Sequence, residues 1–161
     1  MKLIHWWPPI LGTGIWVKYI SPNFDRYDVI MKLHWFNRNL LGMHYGGSLY
    51  SMCDPWYMFI LTIGLGRNYI VVDKAAAIRY LKPGRGTLRA TFHINEERMK
   101  EIKQEIDRIG KKDYIFLCEI KNEEGETVCE VDKVVYVRKK DFDWDAYNAS
   151  GASEPDRKLN S

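Results

Sequence analysis

Only three cysteines, Cys53, Cys118 and Cys129, occur in the 161 residues, and no two of them stand as Cys-x-x-Cys. The odd count and wide spacing exclude a disulfide framework and a zinc knuckle, and point to buried thiols in a reducing compartment. A bilayer-length apolar run is also missing. The longest, PWYMFILTIGLG, is about a dozen residues, against roughly 20 for a spanning helix. The opening, MKLIHWWPPILGTGIW, sets a lysine before apolar side chains, but His5 and Pro8-Pro9 interrupt the run and no small-residue cleavage pattern follows. No secretory leader or stable membrane insertion is therefore expected, and the expected location is cytoplasmic. Asn148-Ala149-Ser150 has the form of a glycosylation sequon, which carries no meaning without secretion. Dense runs of Lys and Arg are absent as well, and a formal net charge of +3 spread along the chain argues against nucleic acid as a partner. There is no phosphate loop, metal-ligand spacing or nucleotide fingerprint, and the isolated Gly12-Thr-Gly14 does not make one.

What is present is an ordinary apolar fraction, 46%, and many aromatics, 14%, enough for one folded domain and too short a chain for two substantial ones. Residues 1–141 read as that domain. Residues 142–161 read as a polar, loose tail, most clearly from Asn148 onward. Near the start, residues 3 to 10 form a short apolar element stopped by prolines, its two tryptophans serving as a plug against the core. GIWVKYI is a first strand. DVIMKLHWF alternates Val29, Met31, Leu33 and Trp35 against Asp28, Ile30, Lys32 and His34, the period of a half-buried strand. From Gly46 to about Leu65 the sequence is apolar on nearly every side, as in a helix that other structure must enclose. Pro55 leaves two alternatives inside it: a helix starting with Asp54 as N-cap and Pro55 in first position, or one longer helix that kinks.

Strands dominate the rest. YIVVDKAAAIRYL and TLRATFHI are separated by Lys82-Pro83-Gly84-Arg85-Gly86, a turn composition that predicts antiparallel neighbours, with Leu88, Ala90, Phe92 and Ile94 on one face. INEERMKEIKQEIDRIG predicts an amphipathic surface helix capped by Asn95, with Met99, Ile102, Ile106 and Ile109 at helical spacing and Gly110 at its end. DYIFLCEI and TVCEVDKVVYVR flank Asn122-Glu-Glu-Gly125, a hairpin signal. An antiparallel sheet of about six strands following one wholly apolar helix is best satisfied by wrapping around it, an α+β architecture whose edge strands and outer face invite self-association.

The stretch Asn39-x-x-Gly42-x-x-Tyr45-Gly46-Gly47, followed by Asp54, resembles the signature of hotdog-fold acyl-CoA thioesterases of the phenylacetate-degradation type. Their pattern is N-x-x-G-x-x-H-G-G with an aspartate seven residues past the second glycine. The order of elements to about Lys140 is also similar. Within the superfamily the WPP start, the GGSLY…DP segment, the KAAAIRYLKPGRGTL hairpin and the inserted surface helix resemble a branch of unassigned function. The resemblance implies a hotdog fold assembled as a homodimer or dimer of dimers. It also implies a small-molecule acyl thioester as substrate, with coenzyme A present only as part of that substrate and no other cofactor.

The resemblance assigns roles as well. Gly46 would turn its backbone amide, at a helix N-terminus, on the thioester carbonyl. Asp54 would attack that carbonyl or activate a water, and Asn39 would orient the water or hold the carbonyl. Tyr45 and Gly47 would border the substrate. Arg79, Lys82, Arg85 and Arg89 cluster in sequence around one hairpin, where they could hold the phosphates of coenzyme A. Trp56, Tyr57, Met58 and Phe59 could set the length of an acyl tunnel. The bland alternatives are glycines for tight packing, an aspartate cap, a turn asparagine, a solvated charged hairpin and ordinary core aromatics. Tyr45 stands where the family usually has histidine, with His44 displaced by one position and so rotated by about 100° around a helix entrance. Pro55 follows the acid directly, and the polar Ser or Thr expected on the strand facing the helix is replaced by Val71 or Val72. A module that binds acyl-CoA or a fatty acid without turnover is the alternative function.

Overall fold

An apolar segment with no polar face can be stable in water only if the remaining chain covers it. In the computed structural model of the protein, which describes residues 8–149, the segment from Gly46 to Leu65 is two consecutive helices, α2 (Gly46–Cys53) and α3 (Trp56–Leu65), packed on a six-stranded antiparallel sheet. The aromatic plug at Trp6 and Trp7 lies outside the described residues. Chain order is α1 (Pro8–Leu11), β1 (Ile15–Ile20), β2 (Arg26–Lys32), α2, α3, β3 (Tyr69–Tyr80), β4 (Thr87–His93), α4 (Glu96–Ile109), β5 (Lys111–Lys121), β6 (Thr127–Lys139) and α5 (Trp144–Ala149). This is the expected α+β hotdog arrangement. Among the described residues no helix is long and apolar enough to cross a membrane.

The order in the sheet is β1-β2-β4-β5-β6-β3, which corrects the expectation that the two strands flanking residues 81–86 are neighbours. β3 instead runs along β6 at one edge, while β4 pairs with β2 and β5. The reason is apolar matching. The buried Leu88, Ala90 and Phe92 of β4 stand opposite the buried Met31, Val29 and Tyr27 of β2, so each cross-strand pair on that face enters the core. A turn composition marks where a chain reverses, not which strand receives it.

The alternation read through Trp35 also ends early, at Lys32. Asn37, almost fully buried, accepts a hydrogen bond from the His34 amide at 2.7 Å and donates to the carbonyls of Lys32 and Thr13 at 2.8 and 2.9 Å. It peels the chain off the sheet and leaves Trp35 exposed. Elsewhere the local signals hold. The Asn95 side chain caps α4 by accepting from the Arg98 amide at 2.8 Å, and Ile102 and Ile106 are buried beneath that helix. Asn122 closes the β5–β6 hairpin by accepting from the Glu126 amide. All three cysteines are free and buried, with the sulfurs of Cys53 and Cys118 3.0 Å apart. Past the sheet, α5 follows Phe142, whose ring meets Trp144 edge-on; residues 150–161 lie outside the described part.

Candidate active site

The N-terminus of α2 is framed by the loop before it. Asn39 shapes that loop, its side-chain oxygen accepting from the Leu41 and Met43 amides at 2.9 and 3.1 Å. His44, buried, donates through Nε2 to the Gly86 carbonyl at 3.0 Å, and its backbone amide donates to Gly84. Burial holds the His44 imidazole below its ordinary pKa, so it ties the loop to the β3–β4 connection as a neutral ring. Tyr45, at the helix cap, is largely exposed and makes no side-chain cap.

The glycine pair meets aromatic rings. A Cβ at Gly46 would fall 2.9 Å from the Tyr80 hydroxyl, which donates to the Gly46 carbonyl at 3.1 Å; a Cβ at Gly47 would fall 2.6 Å from the Tyr45 ring. The amides of Ser48 and Leu49 both donate to Tyr45. Those of Gly46 and Gly47 precede them and have no intrahelical acceptor, the usual state of a helix N-terminus and one that favours negative charge.

Eight residues on, the helix breaks. Pro55 has no amide to offer the Ser51 carbonyl, which the Asp54 amide reaches at 3.4 Å. The Trp56 indole donates to Met52 at 2.7 Å, and the ladder resumes with Phe59 donating to Pro55 at 3.0 Å. Of the two alternatives, the interrupted long helix is the one found. Pro55 occupies the cap position of α3 and Asp54 ends α2 with helical dihedrals.

Asp54 is thereby free of capping and makes an ion pair that crosses the fold. Its Oδ1 lies 2.8 Å from Nζ of Lys133, whose side chain is fully buried, while the Asp54 side chain is 48% exposed. A second carboxylate, Asp73 on β3, approaches the same ammonium at 3.3 Å through Oδ2. Its other oxygen, Oδ1, is buried without a hydrogen-bond partner. The Tyr50 ring lies 5.5 Å from Nζ. Burial pulls the Lys133 pKa down, but the bond to Asp54 and the charges of Asp73 and Asp54 outweigh it, leaving the ammonium above the ordinary lysine value. For Asp73 the balance is reversed: burial, with the nearby charge of Asp54, raises its pKa more than Lys133 lowers it.

Neither Lys133 nor Asp73 was among the residues expected from sequence. The signal for Lys133 was present, since it stands in the inward register of β6 between Val131, Val135 and Val137, all buried. A bulge between Asp73 and Ala75 resets the register of β3 against β6. The strand facing the helix is expected to carry a polar group where Val71 and Val72 stand, and Asp73 is the residue beside them.

The cations around the β3–β4 connection do not converge. Arg79 is held by Glu130 and Asp132 at 3.1 and 2.6 Å, and Lys82 by Glu126 at 2.7 Å. Arg89 lines an open cleft of about 450 Å³ with Thr91, Leu117, Glu119 and Lys121, and Arg85 is exposed in the turn. Trp56 and Tyr57 are core residues. Trp56 packs against Tyr27 and Phe92, and Tyr57 stacks on Phe116 and donates to the Leu117 carbonyl. Among the described residues no three metal-ligating side chains gather.

Comparison with known proteins agrees with this architecture. The family described as "Domain of unknown function (DUF4442)" matches residues 2–137. A protein of unknown function from Pseudomonas aeruginosa, described as a probable thioesterase, superposes with a TM-score of 0.77 at 19% identity, over 86% of this chain and 92% of that one. A thioesterase from Haemophilus influenzae gives 0.63 at 15% identity, over 89% and 91%. A variant of the phenylacetic acid degradation protein PaaI from Thermus thermophilus gives 0.55 at 20%, over 80% and 97%. No curated protein matches the sequence. At these identities the likeness is one of fold, here the fold of thioesterases and thioesterase-like proteins.

Proposed function

We propose that the chain, which belongs to the family described as "Domain of unknown function (DUF4442)", hydrolyses an acyl thioester, with acyl-coenzyme A as the substrate class. The observation that carries this reading is Asp54: a half-exposed carboxylate at a helix break, anchored through one oxygen to a fully buried ammonium. In hydrolysis either Asp54 takes a proton from water as the water oxygen attacks the carbonyl, or Asp54 itself attacks and forms a mixed anhydride that water then opens. In both routes the C–S bond breaks, its electron pair stays on sulfur, and the sulfur is protonated to the free thiol. The oxygen of the carbonyl gathers negative charge, which the free amide of Gly46 would stabilise.

One copy of the chain cannot place both groups on one carbonyl. Gly46 and Asp54 are eight residues apart, which is about 12 Å along a helix, whereas both must come within about 3 Å of the reacting group. A two-fold pairing of edge strands β3 would run two copies of the helix antiparallel and bring Gly46 of one toward the acid of the other, so a homodimer is part of the proposal; a dimer of dimers would repeat that unit. In this reading Tyr45 and Gly47 border the acyl group, and Asn39 acts by fixing the loop that leads to the Gly46 amide. Because Arg79 and Lys82 are already held by carboxylates, the phosphate-holding role falls to Arg85 and Arg89.

Incubation with a panel of acyl-CoAs should release free thiol, measured by a chromogenic disulfide, and Asp54→Asn should abolish the release. An unchanged rate in that variant removes Asp54 from the mechanism. The alternative, a module that binds acyl-CoA or a fatty acid without turnover, draws on Tyr45 in place of the family's histidine and on Trp56 filling the interior. It predicts calorimetric binding with no thiol released.

A further inference from the structure

Resting on that reading, we infer that Asp73 is the standing counterion of Lys133: it keeps the buried ammonium compensated during the step in which Asp54 loses its negative charge. Lys133 is inaccessible to water, and its ammonium contacts two carboxylates where one would suffice for neutrality, Asp54 at 2.8 Å and Asp73 at 3.3 Å. The other titratable groups around it are Tyr50 and Cys53 of α2, and neither supplies a negative charge in the neutral range, since both are held above their ordinary pKa values.

Whichever hydrolytic route operates, Asp54 becomes neutral on the way. It does so by accepting the proton of the attacking water, or by giving its oxygen to the acyl carbon as the thiolate departs. With Asp54 as sole partner, that moment would leave a cation uncompensated in the interior, and an unpaired buried charge is among the most destabilising features a fold can hold. Asp73 removes this penalty because its Oδ2 is already in place, on a separate strand that need not move. Its buried Oδ1 has no hydrogen-bond partner, so no competing bond holds the carboxylate away from Nζ. Asp73 touches no substrate in this scheme and is a positioning residue.

The test combines a thermodynamic cycle with kinetics on the full chain. Asp54→Asn and Asp73→Asn, each leaving Lys133 one carboxylate, should melt within a few degrees of the parent. The double variant should melt about 10 °C or more below the sum of the single effects. Adding Lys133→Met to the double variant should restore the melting temperature, which separates lost compensation from general misfolding. In acyl-CoA hydrolysis Asp73→Asn should lower kcat about tenfold or more with little change in KM, and Asp73→Glu should recover most of it. Additive melting shifts, or an Asp73→Asn enzyme with the parent kcat, would overturn the inference. A parent that hydrolyses no member of the panel would defeat the thioesterase reading instead, and the melting cycle would still decide whether Asp73 compensates Lys133.

Discussion

Strand β6 carries two ion clusters of the same make-up on opposite faces. On the inner face Lys133 sits between Asp54 and Asp73; on the outer face Arg79 of β3 sits between Glu130 and Asp132 of β6. Each is one cation and two carboxylates at hydrogen-bonding distance, and Asp132 and Lys133 are consecutive residues. What separates them is water. The Arg79 side chain is 45% exposed and that of Lys133 is 0% exposed, so solvent screens the first cluster and leaves the second to its protein partners. The lesson is that a cation's meaning lies in which face of the sheet it occupies. The four cations singled out by sequence belong to the β3–β4 connection and its flanking strands, and the one that matters most for Asp54 was hidden in a run of valines.

That contrast can be broken in three ways, beginning with the largest effect. Lys133→Ala should destabilise the protein by about 3–5 kcal/mol, because two partly buried carboxylates lose their common cation; denaturant unfolding measures this, and a loss under 1 kcal/mol would put the inner cluster on a level with the outer one. The alkaline limb is a smaller test. With its folded-state pKa raised above the ordinary value of 10.5, Lys133 binds its proton more tightly folded than unfolded. Its contribution is therefore complete below pH 10.5 and lost as pH rises through the folded-state value. Buried Tyr27, pushed up to about 12, acts in the same direction. Melting temperatures between pH 9 and 12 should thus fall in the parent and fall less steeply in Lys133→Met; identical slopes would remove Lys133 from the linkage. The smallest effect is expected from Arg79→Gln, whose melting curve should nearly overlay the parent's at physiological salt. A large shift there would mean the outer cluster is not screened as its exposure implies.

Much of the fold was legible because its signals are local. Asn95 before a charged amphipathic run, Asn122-Glu-Glu-Gly125 between two alternating segments, and an all-apolar stretch from Gly46 each report on a few neighbouring residues, and each appears where expected. Strand order was not legible, since β3 and β4 are separated by a turn that any hairpin could use and their true partners lie far away in the chain. The early end of β2 escaped for a related reason: the Asn37 side chain donates one of its three hydrogen bonds to the distant Thr13 carbonyl, a contact that alternation cannot express. At the candidate site, the spacing from Asn39 to Asp54 drew attention to the right helix. That Asp54 meets Lys133, 79 residues further on, was beyond any local pattern.

The sequence by itself determined the inventory: one helix too apolar to face water, strands with a buried and an open side, and a glycine pair and an acid on that helix at a fixed separation. These follow from periodicity and backbone chemistry, which act over a few residues. Only the tertiary structure decided which strand lies at the edge, which face Lys133 takes, and that Asp54 and Asp73 share its charge. Those outcomes depend on excluding water from one side of a sheet, and water is excluded only when distant segments have come together.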